Sequence, residues 1–265
     1  MKEKTWYKSF YIWLVFIFLY LPIFVMVFFS FNQSRQNIFF TGFTLDWYKS
    51  LWSNQALING LMNSLIVGIS ATFVATIIGT LGAVGLAKYD FVGKSLINQI
   101  LYVPIVIPEV VLGISLLSIF AFFNIPLGLS TLFIAHVTFS VPFVLVSVRA
   151  GFTEDTLALE EAAMDLGANK VITFSKVTIP AIWPAIISGA LLAFTLSLDD
   201  VIISFFVVGP DSQTLPLAIL SMVRVAVTPD VNALATLILI VTVLLIFSNT
   251  VRNVRKIQKL SLIHI

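Results

Sequence analysis

The sequence predicts an all-α, polytopic membrane protein with six transmembrane helices. Three observations carry that expectation. Apolar runs of about 20 residues recur along the chain, the length an α-helix needs to cross a bilayer. Of the 265 residues, 59 % are hydrophobic and only 11 % charged, against about 25 % charged in an ordinary soluble domain. The charges cluster between the apolar runs, mostly in alternate connections. A transmembrane β-barrel would instead show short segments of alternating polarity. No cysteine is present, which excludes disulfides and thiol–metal sites.

The expected spans are residues 9–31, 63–87, 96–123, 130–148, 181–208 and 231–251, within a single transmembrane domain over 1–265. Lys2, Lys4 and Lys8 precede the first run in the manner of a signal peptide. The run is too long for one, and no small-x-small cleavage site closes it, so a retained helix is expected. The connection 32–62 carries Asp46, Trp47, Tyr48 and Trp52. These aromatics suit either the interfacial belt of a bilayer or a docking surface for an outside partner. The second span is rich in small residues, with Ala71, Ala75, Gly79 and Gly82 on one side, a face for close helix packing. Pro22, Pro104, Pro108 and Pro142 fall inside spans. Proline removes an intrahelical hydrogen bond and bends a helix, which membrane helices tolerate where the freed carbonyl is satisfied internally. The connection 209–230 contains Gly209-Pro210, Pro216 and Pro229, turn chemistry with room for a short helix.

Lysine and arginine set the orientation, because cytoplasmic loops accumulate them. The N-terminus, the connections holding Lys88, Lys94, Arg149, Lys170 and Lys176, and the tail from Arg252 to Lys259 contain twelve; the opposite side contains only Arg35, Lys49 and Arg224. Both termini and the connection 149–180 are therefore expected in the cytoplasm.

That connection is the largest polar island away from the termini. Residues 153–180 hold five of the thirteen carboxylates against Lys170 and Lys176. Thr153 suits an N-cap, with Glu154 and Asp155 in the first turn, where the helix dipole favours negative charge. Gly167 suits a helix end, since glycine adopts the left-handed conformation at C′ without steric cost. Asn169 suits the cap of a second short helix, and Pro180 is expected to keep that helix from joining span five smoothly. A plain amphipathic linker on the membrane surface is the alternative, but such helices are usually basic and this one is acidic.

The spacing Glu161-Ala162-Ala163, three residues, Gly167, nine residues, Val177-Thr178-Ile179-Pro180 resembles the EAA motif of permease subunits of bacterial ATP-binding-cassette importers. Val177 and Ile179 stand where the family has isoleucine and leucine. The stretches Thr44 to Tyr48, Phe194 to Asp200 and Asn232 to Thr236 extend the resemblance to the polyamine (spermidine and putrescine) importers. The resemblance implies a type I importer permease fold. It implies that Glu161, Ala162, Ala163, Gly167 and Pro180 belong to a coupling loop contacting an ATPase dimer. It also implies a second homologous permease subunit, an extracytoplasmic substrate-binding protein and a setting in the bacterial inner membrane. Lipid is an expected partner; nucleic acid is not.

Hydrolysis must occur elsewhere. A phosphate-cradling loop needs G-x4-G-K-[ST]; Gly93-Lys94-Ser95 matches its end, but Lys88 occupies the first glycine position. No cofactor is expected on this chain, with ATP and Mg on the partner ATPase, and no enzymatic activity of its own.

Glu109, Asp199 and Asp200 fall within spans. An ionisable residue in a membrane segment is a functional candidate by default. At 1.5 Å per residue, Glu109 and Asp199 lie roughly 20 Å from the same membrane face, so they can share one level of a pathway. No lysine or arginine lies in any span to neutralise them, which points to a cationic cargo. Phe205, Phe206 and Tyr102 are candidates for cation–π contact. Adjacent helical residues point about 100° apart, so only one of Asp199 and Asp200 is expected to face a lumen. His136 is expected to be a hydrogen-bonded interior residue, and neither histidine has metal-ligand partners. The same fold carrying iron or another organic cation is the first rival. An intramembrane aspartyl hydrolase using Asp199 and Asp200 is the second; such enzymes need two carboxylates facing each other, which adjacent residues cannot provide and Glu109 with Asp199 could in principle.

Overall fold

A computed structural model describes residues 6–35, 39–225 and 229–244. In order these form α1 (Trp6–Phe29), α2 (Asp46–Ser50), α3 (Gln55–Lys88), α4 (Lys94–Val106), α5 (Glu109–Phe122), α6 (Leu129–Arg149), α7 (Glu154–Asp165), α8 (Lys170–Thr173), α9 (Ile179–Asp199), α10 (Ile202–Val207), α11 (Leu215–Val225) and α12 (Pro229–Leu244). Among the described residues, four helices are long and apolar enough to cross a membrane, and five if the bent pair α4–α5 counts as one span. α12 is shorter, and the expected end of span six, 245–251, lies outside the described residues.

Two expected spans are interrupted. α4 and α5 turn by 106° at Ile107–Pro108 instead of forming one kinked rod over 96–123. Ile107, before the proline, adopts an extended conformation (ψ 136°), as the ring of a following proline demands. Span five ends early: α9 stops at Asp199, and α10 starts again at Ile202. Pro142, by contrast, sits inside an unbroken and buried stretch of α6.

The chain divides into two compact units. One comprises the described residues up to Ile58 and from Ile219 onward. Here α1 has no buried residue between Ser9 and Phe29. The strand-like segment after it folds back, with Trp47 Nε1 donating to the Asn32 carbonyl at 2.6 Å and Tyr48 Oη 2.6 Å from Ser30 Oγ. Asn32 is fully buried; its side chain donates to the Phe39 carbonyl and accepts from the Thr41 N–H. Trp47 and Tyr48 thus lock the end of α1, whereas Trp52 is left 79 % exposed.

The second unit spans Asn59–Ala218. α3, α6 and α9 meet in one apolar core around Ala75, Ala83, Val144, Val148, Ile182 and Ile186. α5, α6 and α10 meet α3 in another around Val67, Leu116, Phe139 and Ile203. The small-residue face of α3 lies against α6: a Cβ on Gly79 would stand 2.8 Å from Val144 Cβ, and one on Gly82 2.8 Å from Leu145 Cδ1. Gly113 similarly admits Phe206, and Gly189 the α6 backbone. Close approach of this kind is how membrane helices gain packing contact when lipid is as apolar as leucine.

Candidate functional site

The polar loop folds as helix, glycine turn, helix. Thr153 accepts the Thr156 N–H at 3.3 Å and caps α7. At the far end the Gly167 N–H reaches the Met164 carbonyl and the Ala168 N–H the Ala163 carbonyl, with Gly167 at φ +91°. This pair of bonds around a left-handed residue satisfies carbonyls that would otherwise be orphaned at the helix end. Asn169 then accepts the Ile172 N–H at 2.9 Å and caps α8.

Pro180 does not end the helix, but the join before it is irregular. The helix runs on from Lys170 to Asp199 over 30 residues. A π turn over Phe174–Thr178 precedes the proline, and the Ile179 N–H bonds to the Phe174 carbonyl five residues back. The wider turn relieves the clash that a proline ring makes with the carbonyl four residues before it.

Glu161, Ala162, Gly167 and Pro180 are exposed and Ala163 is half-buried. Around them stand Leu166 (90 % exposed) and Val171 (75 % exposed). An acid, small residues and bare apolar side chains on one short helical hairpin make a surface suited to a partner. Beside it opens a cleft of about 520 Å³, lined by Leu157, Glu161 and Met164 on one wall and by Lys88, Tyr89, Lys170 and Phe174 elsewhere.

Glu160, one position before the motif, turns inward. It is buried, and its Oε1 lies 2.7 Å from Lys88 Nζ. Thr178 Oγ1 donates to the same carboxylate oxygen at 2.5 Å, and Lys88 Nζ donates to Thr178 Oγ1 at 3.1 Å. The ammonium also stands 5.8 Å from the Phe174 ring centroid. Removing one member of a buried ion pair typically costs about 3–5 kcal/mol, because the other charge is left uncompensated. Sequence reading passed over this trio because Lys88, Glu160 and Thr178 are far apart in the chain. Two opposite charges at the edges of apolar segments were the one available signal.

The matching site for Gly93-Lys94-Ser95 is mundane. Lys94 Nζ lies 2.8 Å from Asp90 Oδ1, and that bond holds the Asp90 carboxyl below its usual range. The segment follows helix α3, and no strand leads into it.

The membrane acids separate in role. Glu109 opens α5 directly after the Pro108 break, and Asp199 closes α9 at the other break. Both are exposed, and both line one cavity of about 330 Å³ with Phe139, Leu196, Asp200, Val201 and Ile202. Two helix breaks thus bring two carboxylates to a common space. Phe139 supplies its aromatic wall; Phe205, Phe206 and Tyr102 do not line it.

Asp200 belongs to the wall. It is 7 % exposed and accepts the Ile203 N–H at 3.1 Å, the Ser204 N–H at 2.8 Å and the Ser204 hydroxyl at 2.6 Å. It therefore caps α10. His136 completes the network, with Nδ1 2.6 Å from Ser197 Oγ and Nε2 3.0 Å from Ser204 Oγ. A carboxylate only accepts, so the single Ser204 proton goes to Asp200, and Nε2 must carry the proton it donates to Ser204. His136 ties α6 to both sides of the α9–α10 break. Among the described residues no group of three or more His, Asp and Glu is placed to hold a metal.

This arrangement defines a class: a multi-span helical membrane protein with an acidic cavity and a polar, exposed helical hairpin. The chain belongs to the family of binding-protein-dependent transport system inner membrane components, whose pattern matches residues 75–255. It is a transport component and not an enzyme. It is 42 % identical over 236 residues to the spermidine/putrescine transport system permease protein PotC of Escherichia coli strain K12, covering 89 % of each chain. It is 39 % identical over 244 residues to the PotC protein of Haemophilus influenzae, covering 92 % of this chain and 95 % of that one. The putrescine transport system permease protein PotI of Escherichia coli strain K12 is 42 % identical over 231 residues, with 84 % and 82 % covered. In fold, the chain is similar to a bacterial ABC transporter involved in import of the acidic polysaccharide alginate, with TM-score 0.74, 15 % identity, and 94 % and 98 % of the chains covered.

Proposed function

We propose that this chain is the permease subunit of an ATP-driven importer that carries polyamines, spermidine or putrescine, across a bacterial inner membrane. The observation that carries the reading is the cavity between the two helix breaks. Glu109 and Asp199 stand on it, and no lysine or arginine contributes to its wall. A flexible aliphatic polycation supplies the missing positive charge, and Phe139 is the aromatic side chain on the cavity wall that an ammonium group could meet. The permeases named for spermidine and putrescine that resemble this chain support the choice of cargo.

In this reading Glu161, Ala162, Ala163 and Gly167 seat one chain of an ATPase pair, which binds ATP and Mg. A second permease subunit completes the pathway, and an extracytoplasmic binding protein delivers the polyamine to the opposite side. Both termini and the polar loop face the cytoplasm, as the distribution of lysine and arginine supports. ATP closes the ATPase pair, the hairpins follow, and the spans rock between inward-open and outward-open states. Hydrolysis resets them.

Competitive uptake of labelled spermidine and putrescine tests the cargo. Asp199→Asn and Glu109→Gln should each raise the half-saturating concentration roughly fivefold, the worth of a partly exposed ion pair of about 1 kcal/mol. Unchanged uptake in both variants, or stronger competition by iron or an unrelated organic cation, sinks the polyamine assignment.

A further inference from the structure

We infer that Lys88, Glu160 and Thr178 form the mechanical link that carries movement of the α7–α8 hairpin into the membrane-embedded helices; this rests on the reading of that hairpin as the ATPase seat. Three elements of one compact unit meet at the trio. Lys88 is the last residue of α3, Glu160 lies in α7, and Thr178 ends the π turn that leads into α9. α3 and α9 are both long enough to span a membrane. Each member of the trio bonds the other two: 2.7 Å for Lys88 to Glu160, 2.5 Å for Thr178 to Glu160, and 3.1 Å for Lys88 to Thr178.

The neighbouring Glu161 points outward, so the two adjacent acids divide the work between an exposed face and a buried tie. Apart from the trio, α7 holds few anchors. Of its twelve residues only Thr156 and Glu160 are buried, and Thr156 bonds to the local residues Thr153 and Gly151. A force on α7 therefore reaches α3 through Glu160, while α9 is also reached through the unbroken helix from Lys170. If Glu160 lets go, α7 can move while α3 stays still. Lys88, Glu160 and Thr178 are positioning residues, acting through the helices they join.

The test uses the complete complex of permeases, ATPase pair and binding protein in proteoliposomes, measuring labelled polyamine taken up and phosphate released. Glu160→Gln should lower substrate moved per ATP by at least about fivefold, the lower end of ordinary coupling between sites, while the ATPase still co-purifies and still hydrolyses ATP. The chain has no cysteine, so a Lys88→Cys, Glu160→Cys double variant can be bridged by a bifunctional methanethiosulfonate reagent. Bridging should restore the ratio, and dithiothreitol should abolish it again in the same sample. A wild-type ratio in Glu160→Gln, or a ratio unmoved by bridging, overturns the link. So does loss of assembled complex in both variants, which assigns the trio a folding role alone. Co-purification in the wild type reports on the seat and the ratio on the link, so failure of one is distinguishable from failure of the other.

Discussion

Asp199 and Asp200 are neighbours in sequence and opposites in surroundings. Asp199 is exposed at a helix end on the cavity, while Asp200 has two backbone N–H groups and a hydroxyl directed at it. Their different partners predict different consequences. Asp200→Ala leaves the buried N–H groups of Ile203 and Ser204 and the Ser204 hydroxyl without their acceptor, and a buried unsatisfied group costs about 1–3 kcal/mol. The expected result is a lower Tm for the detergent-solubilised chain, with Asp199→Asn leaving the Tm unchanged. Equal Tm losses in both would mean that Asp199 also serves the fold. The sequence led to the expectation that only one of the pair faces a lumen, because neighbours on a helix diverge; both border the cavity, with Asp199 exposed and Asp200 buried. Which of the two faced inward depended on the break after Asp199, on His136 in α6 and on Ser204 in α10, none of which a local pattern connects.

At the scale of elements, the α7–α8 hairpin and the α3–α6 contact make contrasting predictions. Gly167 sits at φ +91°, and a Cβ added there meets nothing within 4 Å. The cost of Gly167→Val is therefore conformational and local, about 1–2 kcal/mol for a left-handed residue. It should release the angle between α7 and α8, abolish co-purification of the ATPase and transport, and leave the amount of chain in the membrane close to wild type. Loss of the chain from the membrane would indicate a purely structural role. Gly79 presents the reverse case. Its added Cβ meets Val144 at 2.8 Å and the Leu145 backbone nitrogen at 3.1 Å, so Gly79→Leu overpacks the α3–α6 seam at a cost of typically about 1–3 kcal/mol. Here the amount of folded chain should fall, as read by fluorescence-detected size-exclusion chromatography. The caps of the hairpin were legible from Thr153, Gly167 and Asn169, since capping is a local matter. The continuity of α8 into α9 was not, because the π turn that accommodates Pro180 depends on backbone bonding one residue out of the regular register.

For the whole molecule, the acidic cavity and the polar hairpin assign cargo and motor to different regions. Substitutions at Glu109 or Asp199 should change substrate preference and leave ATPase assembly intact; those at Gly167 should do the opposite. Deleting the partner ATPase should abolish uptake altogether in cells carrying the wild-type permease. Uptake that persisted would overturn the ATP-driven reading and favour an ion-coupled or passive route.

The sequence by itself determined the membrane class, most of the apolar helices and the hairpin with its glycine turn, because length, hydropathy and capping are properties of contiguous residues. It also marked the three membrane acids, since burying charge in an apolar segment is costly wherever the segment lies. Only the tertiary structure decided that α4 and α5 turn sharply at Pro108, that α9 breaks after Asp199, and that these two breaks bring Glu109 and Asp199 to one cavity. Only the tertiary structure joined Lys88 to Glu160 and Thr178. Each of these depends on contacts between segments distant in the chain, where the stabilising partner of a charge is chosen by packing rather than by its neighbours in sequence.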